Sequence, residues 1–151
     1  MSSPYSDLQD LVADRLEGLR ADCGMPDLTI ATEAKGSVDF EIRQRIQQAS
    51  VGVVVNTPEW AAGEDNPEER LVTVEIVLIW KDTAAMGSKG VRMPYVDVLA
   101  NVEAWLCEWA PSEIWTELRF QGTSLISAGD PAGVVVAASR YQTATIVSTG
   151  E

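Results

Sequence analysis

The sequence contains no histidine. That absence removes the Ser-His-Asp triad, the Cys-His pair and the usual zinc ligand sets, because each relies on an imidazole as base or donor. Cysteine is nearly as scarce. Cys23 and Cys107 lie far apart and form no CxxC pair, so two reduced, partly buried thiols are expected rather than a disulfide framework. Positive charge is short as well: 11 Lys and Arg stand against 23 Asp and Glu, a formal net charge of −12 with a pI near 4.3. Such a field repels phosphates over roughly 8–10 Å, the screening length in ordinary salt, and the basic stripe of a DNA-holding protein is missing. A long apolar run is also lacking. The best candidate, Leu71 to Trp80, is interrupted by Thr73 and Glu75 and falls far short of the about 20 residues that cross a bilayer. The opening Met-Ser-Ser-Pro-Tyr passes directly into an amphipathic pattern, without the basic and apolar regions of a secretory leader. A reducing cytoplasm and no membrane contact are therefore expected.

What is present is a well-patterned chain. Its 151 residues, 46% of them hydrophobic, suffice for one domain that buries about 68–70% of its unfolded surface. Ser3-Pro4 is a helix start, with serine as cap and proline at the first helical position. Leu8, Leu11, Val12, Leu16 and Leu19 then recur at helical spacing until Cys23-Gly24 and Pro26 end the pattern. Leu28 to Thr32 reads as a short strand. From Ser37, Ile42, Ile46 and Ala49 define a second helix, followed at once by the β-branched run Val51 to Val55. Asn56 to Arg70 carries Pro58, Gly63, Asn66 and Pro67 among like charges, the composition of a mobile, solvated loop.

Leu71 to Lys81 is the strongest strand. Val72, Val74, Ile76, Leu78 and Trp80 occupy one side; Val77 and Ile79 make the other side apolar towards its end. That half should be covered on both faces, as a central strand is. Asp82 to Met93 reads as a second flexible loop. After Pro94, a helix places Leu99, Val102, Leu106 and Trp109 on one face and ends at Pro111. Trp115 to Ile126 and Gly133 to Val147 read as strands joined by the turn Ala128 to Pro131. Three helices and about five strands predict an α+β domain over 1–151: a mixed, mainly antiparallel sheet with helices packed on one face, and flexible loops about 56–70 and 82–93.

Chemical motifs are sparse, and no catalytic residue, cofactor or metal site is assigned. Gly87-Ser88-Lys89-Gly90 lacks the GxxxxGK[ST] order of a phosphate loop. Glu64, Asp65, Glu68 and Glu69 lack the spacing of a calcium loop. Glu75 lies mid-strand between apolar neighbours; it reads as a functional acid, or as a residue of a wetter sheet face or subunit contact. Trp80, Trp105, Trp109 and Trp115 are expected to cluster, and Trp105, offset from the helical stripe, is the candidate interface anchor. Lys89 and Arg92 supply rare positive charge that an acidic neighbour would meet, while the acidic loop around Glu64, Asp65, Glu68 and Glu69 offers a second variable surface.

The order of segments carries a resemblance. A YSDLQDLVADRLEGL helix is followed by an SVGVVVN strand, an acidic loop and an RLVTVEIVLIWKD strand. A YVDVLANVEAWLCEW helix, ELRFQGTSLISAG and a final VVVAASRYQTAT strand complete it. From about Leu8 to Thr145 this resembles the small tail-completion proteins of long-tailed bacteriophages, above all the tail terminators of Mu-like contractile tails. Arg119, Phe120 and Gly122 match that family's R-F-x-G-type turn; the acidic insert and the wealth of tryptophan depart from its pattern. The resemblance implies a homo-oligomeric ring, usually a hexamer, on the head-proximal end of the tail tube in the virion neck, assembled in the host bacterial cytoplasm. Its implied partners are the tail tube protein, a neck or head-completion protein and the sheath, with DNA only passing through the channel. Another head-tail connector or minor tail protein, a small carboxylate-using enzyme and a ligand-binding module are the alternative readings.

Overall fold

A computed structural model of the chain describes residues 3–25, 28–35, 51–81, 94–127 and 134–147. Helix α1, Pro4–Arg15, begins as its sequence dictates: the Ser3 side chain accepts a hydrogen bond from the Ser6 amide at 3.1 Å, and Pro4 occupies the first turn. The helix tightens into a 3-10 turn, Leu16–Gly18, and resumes as α2, Leu19–Asp22. Gly24 stops it with a φ of +62°, a conformation that costs glycine little. Leu8, Val12, Leu16 and Leu19 are fully buried, while Leu11 is only partly so.

The strands are β1 (Thr29–Thr32), β2 (Gly52–Ala62), β3 (Glu69–Lys81), β4 (Arg119–Ser127) and β5 (Val134–Ile146). They form one mixed sheet in the order β1-β2-β3-β5-β4. Only β1 and β2 run parallel; the other pairs are antiparallel. Helix α3, Tyr95–Leu106, follows β3 in the chain. Both α1 and α3 lie on one face of the sheet. Leu8, Val12, Leu16, Val98, Val102 and Leu106 share one buried core with Val72, Val74, Ile76, Leu78 and Trp80. The α+β architecture predicted from the sequence is thus present.

β3 is central, as its pattern predicts. Val77 and Ile79 join Val54, Val134, Val136 and Ala138 in a second buried cluster on the opposite face. Period-2 alternation alone produces this division: even positions of β3 meet the helices and odd positions the other side.

Three expectations need correction. Asn56 to Arg70 is not all loop, because β2 runs on to Ala62 and β3 begins at Glu69. The register shifts between Asn56 and Glu59, so Pro58 falls at a bulge, where its missing N–H leaves no ladder bond unmade. Beyond the bulge Trp60 stacks on Tyr5 of α1, with ring centroids 4.0 Å apart. The connecting segment is short and hydrogen-bonded. Gly63 donates to Glu69 O at 3.0 Å, and the Asn66 side chain accepts from the Glu68 amide at 3.0 Å. Secondly, α3 ends at Leu106 rather than at Pro111: Cys107 is extended and Glu108 takes a φ of +62°. Thirdly, the strand expected from Trp115 starts at Arg119. The Leu118 amide donates back to Trp109 O, and its carbonyl accepts from Glu108, both at 3.0 Å. Those bonds fold the segment onto the end of α3. The expected helix around Ile42, Ile46 and Ala49, the loop Asp82 to Met93 and the turn Ala128 to Pro131 lie outside the described residues.

One polar group crosses the core deliberately. Gln9, only 3% exposed, donates to Thr57 Oγ1 at 2.8 Å and accepts from the Ala34 amide at 2.9 Å. It ties α1 to β2 and to the turn after β1. A buried amide that satisfies two partners is far cheaper than one left unpaired. The Gln9→Ala variant strands both partners and is expected to lose about 1–3 kcal/mol of stability, read as a lower urea midpoint with an unchanged slope.

Candidate functional site

Among the described residues, three places gather polar, aromatic or exposed apolar side chains. The first is a row across the sheet. Asn56, Glu75 and Arg140 stand opposite one another on β2, β3 and β5. Glu75 is 8% exposed. Arg140 Nε donates to its Oε2 at 2.9 Å, and Asn56 Nδ2 to its Oε1 at 3.4 Å. Both carboxylate oxygens are therefore engaged inside the sheet. The row closes the apolar half of this face; beyond it come Thr73, Gln142 and Arg119. Of the readings offered for Glu75, the geometry matches a cross-strand ion pair on the wetter half.

The second place is a clasp between the N-terminal helical segment and α3. The Arg15 guanidinium sits 5.0 Å from the Trp105 ring and 5.2 Å from the Trp109 ring. Its Nε donates to Trp105 O at 2.9 Å, and Trp105 Nε1 donates to Asp22 Oδ2 at 2.6 Å. The ring lies over Gly18, where an added Cβ would stand 2.7 Å from Trp105 Cη2. Only glycine admits so close an approach. Trp105, the candidate interface anchor, is half-buried and held by its own chain at the ring face and at the indole N–H. Trp80 and Trp115 are buried in the core that Trp105 and Trp109 flank, so the expected cluster is present, and Trp80 meets Tyr95 edge-on at 6.1 Å.

The third place is the outer strand β4 with the neighbouring face of α3. Phe120, Leu125 and Ile126 on the strand and Val96 on the helix are exposed apolar side chains, the last three each more than half so. Tyr95, Val96, Leu99, Thr123 and Leu125 border a groove of about 360 Å³ between α3 and β4. Sequence reasoning read the strand but not its position at the sheet's end. The signal available was Gln121-Gly122-Thr123-Ser124, small and polar in mid-strand, which marks an edge or a bulge. β4 carries register breaks between Phe120 and Gly122 and between Leu125 and Ser127, and Gly122 adopts a φ of +146°. The Arg119-Phe120-Gly122 motif thus forms a bulged edge rather than a turn.

The acidic set divides. Glu64, Asp65 and Glu68 are exposed at the β2–β3 connection, and Glu69 is half-buried at the start of β3. Among the described residues no three His, Cys, Asp or Glu side chains come together as metal ligands, and no helix is long and apolar enough to cross a membrane. Lys89 and Arg92 lie outside the described residues. Both cysteines are free; Cys23 is buried, whereas Cys107 is exposed rather than partly buried. Burial pushes the Cys23 thiol up to about 11 from 9.0, with Asp22 adding to the shift. Burial likewise raises Tyr141, helped by Glu103 and Cys107. Ser139 opposes that shift, more weakly than burial drives it. Compared with known proteins, the chain matches no family model and no curated sequence.

Three measurements follow from these groups. Arg140→Ala leaves the Glu75 carboxylate without its cation and is expected to cost about 1–3 kcal/mol, whereas replacing Glu75 and Arg140 together by leucine recovers most of that loss in denaturant titration. A thiol-specific disulfide reagent at pH 8 should modify Cys107 alone, with Cys23 reacting only after unfolding. Because the folded chain holds the Cys23 proton more tightly than the unfolded chain, the contribution of Cys23 to stability should be fully present below about pH 9 and be lost between about 9 and 11.

Proposed function

We propose that this chain is a structural virion protein of the tail-terminator kind: a ring on the head-proximal end of a phage tail tube. It stops tube and sheath polymerisation and presents the surface that neck proteins join. The order of apolar segments supports this reading, and one structural observation carries it. Val96 and Leu125 are exposed together along the groove between α3 and the outer strand β4, and Ile126 is exposed on the same strand. Apolar side chains left exposed beside a sheet edge are what a protein–protein contact uses.

A closed ring needs two different complementary sides per subunit. A sheet with β1 at one end and β4 at the other presents two different sides. The acidic surface would give passing DNA no counterion-release gain, so the nucleic acid slides without being held. A head-tail connector or minor tail protein would use the same outer strand. The enzymatic reading through Glu75 is less favoured, since Arg140 and Asn56 already occupy its carboxylate.

Mass photometry of the purified protein, alone and with tubes of its tail-tube partner, should reveal a discrete ring or tube-end caps. Removing the gene should yield abnormally long tails. Tails of normal length in its absence would overturn the proposal.

A further inference from the structure

The structure assigns the two sides of the contact: the β4 edge of one copy docks into the groove between α1 and β1 of a second copy, with Arg119 entering beside Asp14. The inference rests on the ring reading above and adds which surfaces meet and by what chemistry.

On a chain with 23 acidic and 11 basic residues, two copies approach favourably only where an uncommitted cation faces acid. Among the described side chains, Arg15, Arg20, Arg70 and Arg140 each hold a hydrogen-bond partner within the chain. Arg119 makes no hydrogen bond or ion pair with the described residues. It is exposed at the start of β4, next to exposed Phe120 and on the same strand as Leu125 and Ile126. Faces alternate along the strand: Arg119 stands with Gln142 on the side away from the helices, bordered by Leu71, Thr116 and Glu117, while Phe120 and Leu125 stand on the helix side. The edge thus offers an arginine, a residue enriched at interfaces, on one face and apolar side chains on the other.

The opposite end of the sheet is its complement. Asp10, Asp14 and Glu17 line a groove against Ile30, Ala31 and Thr32, with a volume of about 520 Å³. At about 30 Å³ per water that is room for well over ten waters, enough for an arginine head and neighbouring side chains. Asp10 and Glu17 have contacts within the chain, Glu17 with Arg20; Asp14 is exposed. Thr32, 5% exposed at the groove wall, has a hydroxyl oxygen with no hydrogen-bond partner. A buried hydroxyl left unsatisfied costs stability, and a guanidinium arriving with five N–H donors is a suitable partner for it and for Asp14.

The two sides stand at opposite ends of one sheet, so the contact runs head to tail. Short β1 and doubly bulged β4 are poor templates for strand addition, which leaves side-chain docking as the mode.

Charge reversal tests it. Arg119→Glu and Asp14→Lys, each alone, should weaken assembly at least tenfold in concentration series by mass photometry, with unchanged circular dichroism. The chain carrying both substitutions, and an equimolar mixture of the two single variants, should both regain the assembly, because each reversed side then meets a reversed partner. Leu125→Asp should weaken assembly with no rescue by Asp14→Lys. Assembly of wild-type size by the Arg119→Glu variant overturns this pair of surfaces while leaving the ring reading in place. A wild-type chain that stays monomeric at high concentration and on tail tubes overturns both.

Discussion

Strand β3 is the constraint on which the rest depends. It is hydrogen-bonded along its length, to β2 on one side and β5 on the other, and from Ile76 to Trp80 it is buried on both faces. A strand so enclosed has no freedom of register: a slip of one residue would send Val74, Ile76 and Leu78 to the wrong face and place Glu75 in the helix-side core. The Glu75–Arg140 pair works with that restriction. It marks the single register in which the carboxylate finds both its cation and Asn56, so the ion pair specifies alignment more than it supplies stability.

The described helices pack on the face that the even positions of β3 present. α1 and α3 cover the same face and are fastened to one another by Arg15 between two indoles. Trp105 is the pivot of that fastening, because its ring fills the space over Gly18 while its N–H reaches Asp22. Local sequence explains the helices separately. Only the tertiary arrangement explains why a glycine stands at position 18, in the 3-10 turn where the Trp105 ring closes on the backbone.

Period and punctuation made much of this legible. Ser3-Pro4, the Leu8–Leu19 stripe, Gly24 and the alternation of β3 each mean in three dimensions what they mean in one. The failures share a cause: long-range pairing overrode local composition. Pro58 and a crowd of acids read as loop, yet cross-strand bonds and the Trp60–Tyr5 stack carry β2 past the bulge. Pro111 read as a helix stop, yet the chain had already turned at Glu108 to bond with Leu118. The exposed residues of β4 were read correctly as strand, but whether a strand is central or outermost is decided by partners distant in sequence. Trp105 shows the same limit, since an offset tryptophan on a helix looks like an anchor for another protein until its own chain is seen to hold it.

The bulges of β4 have a consequence for how this chain ages at high concentration. A flat, apolar outer strand is a template on which further copies add without end, giving insoluble fibres. Two breaks in nine residues, one at a glycine with a φ of +146°, twist the backbone donors out of line. Sticky side chains are thereby displayed on a ladder that cannot be extended, and growth is confined to contacts that shape and charge can terminate.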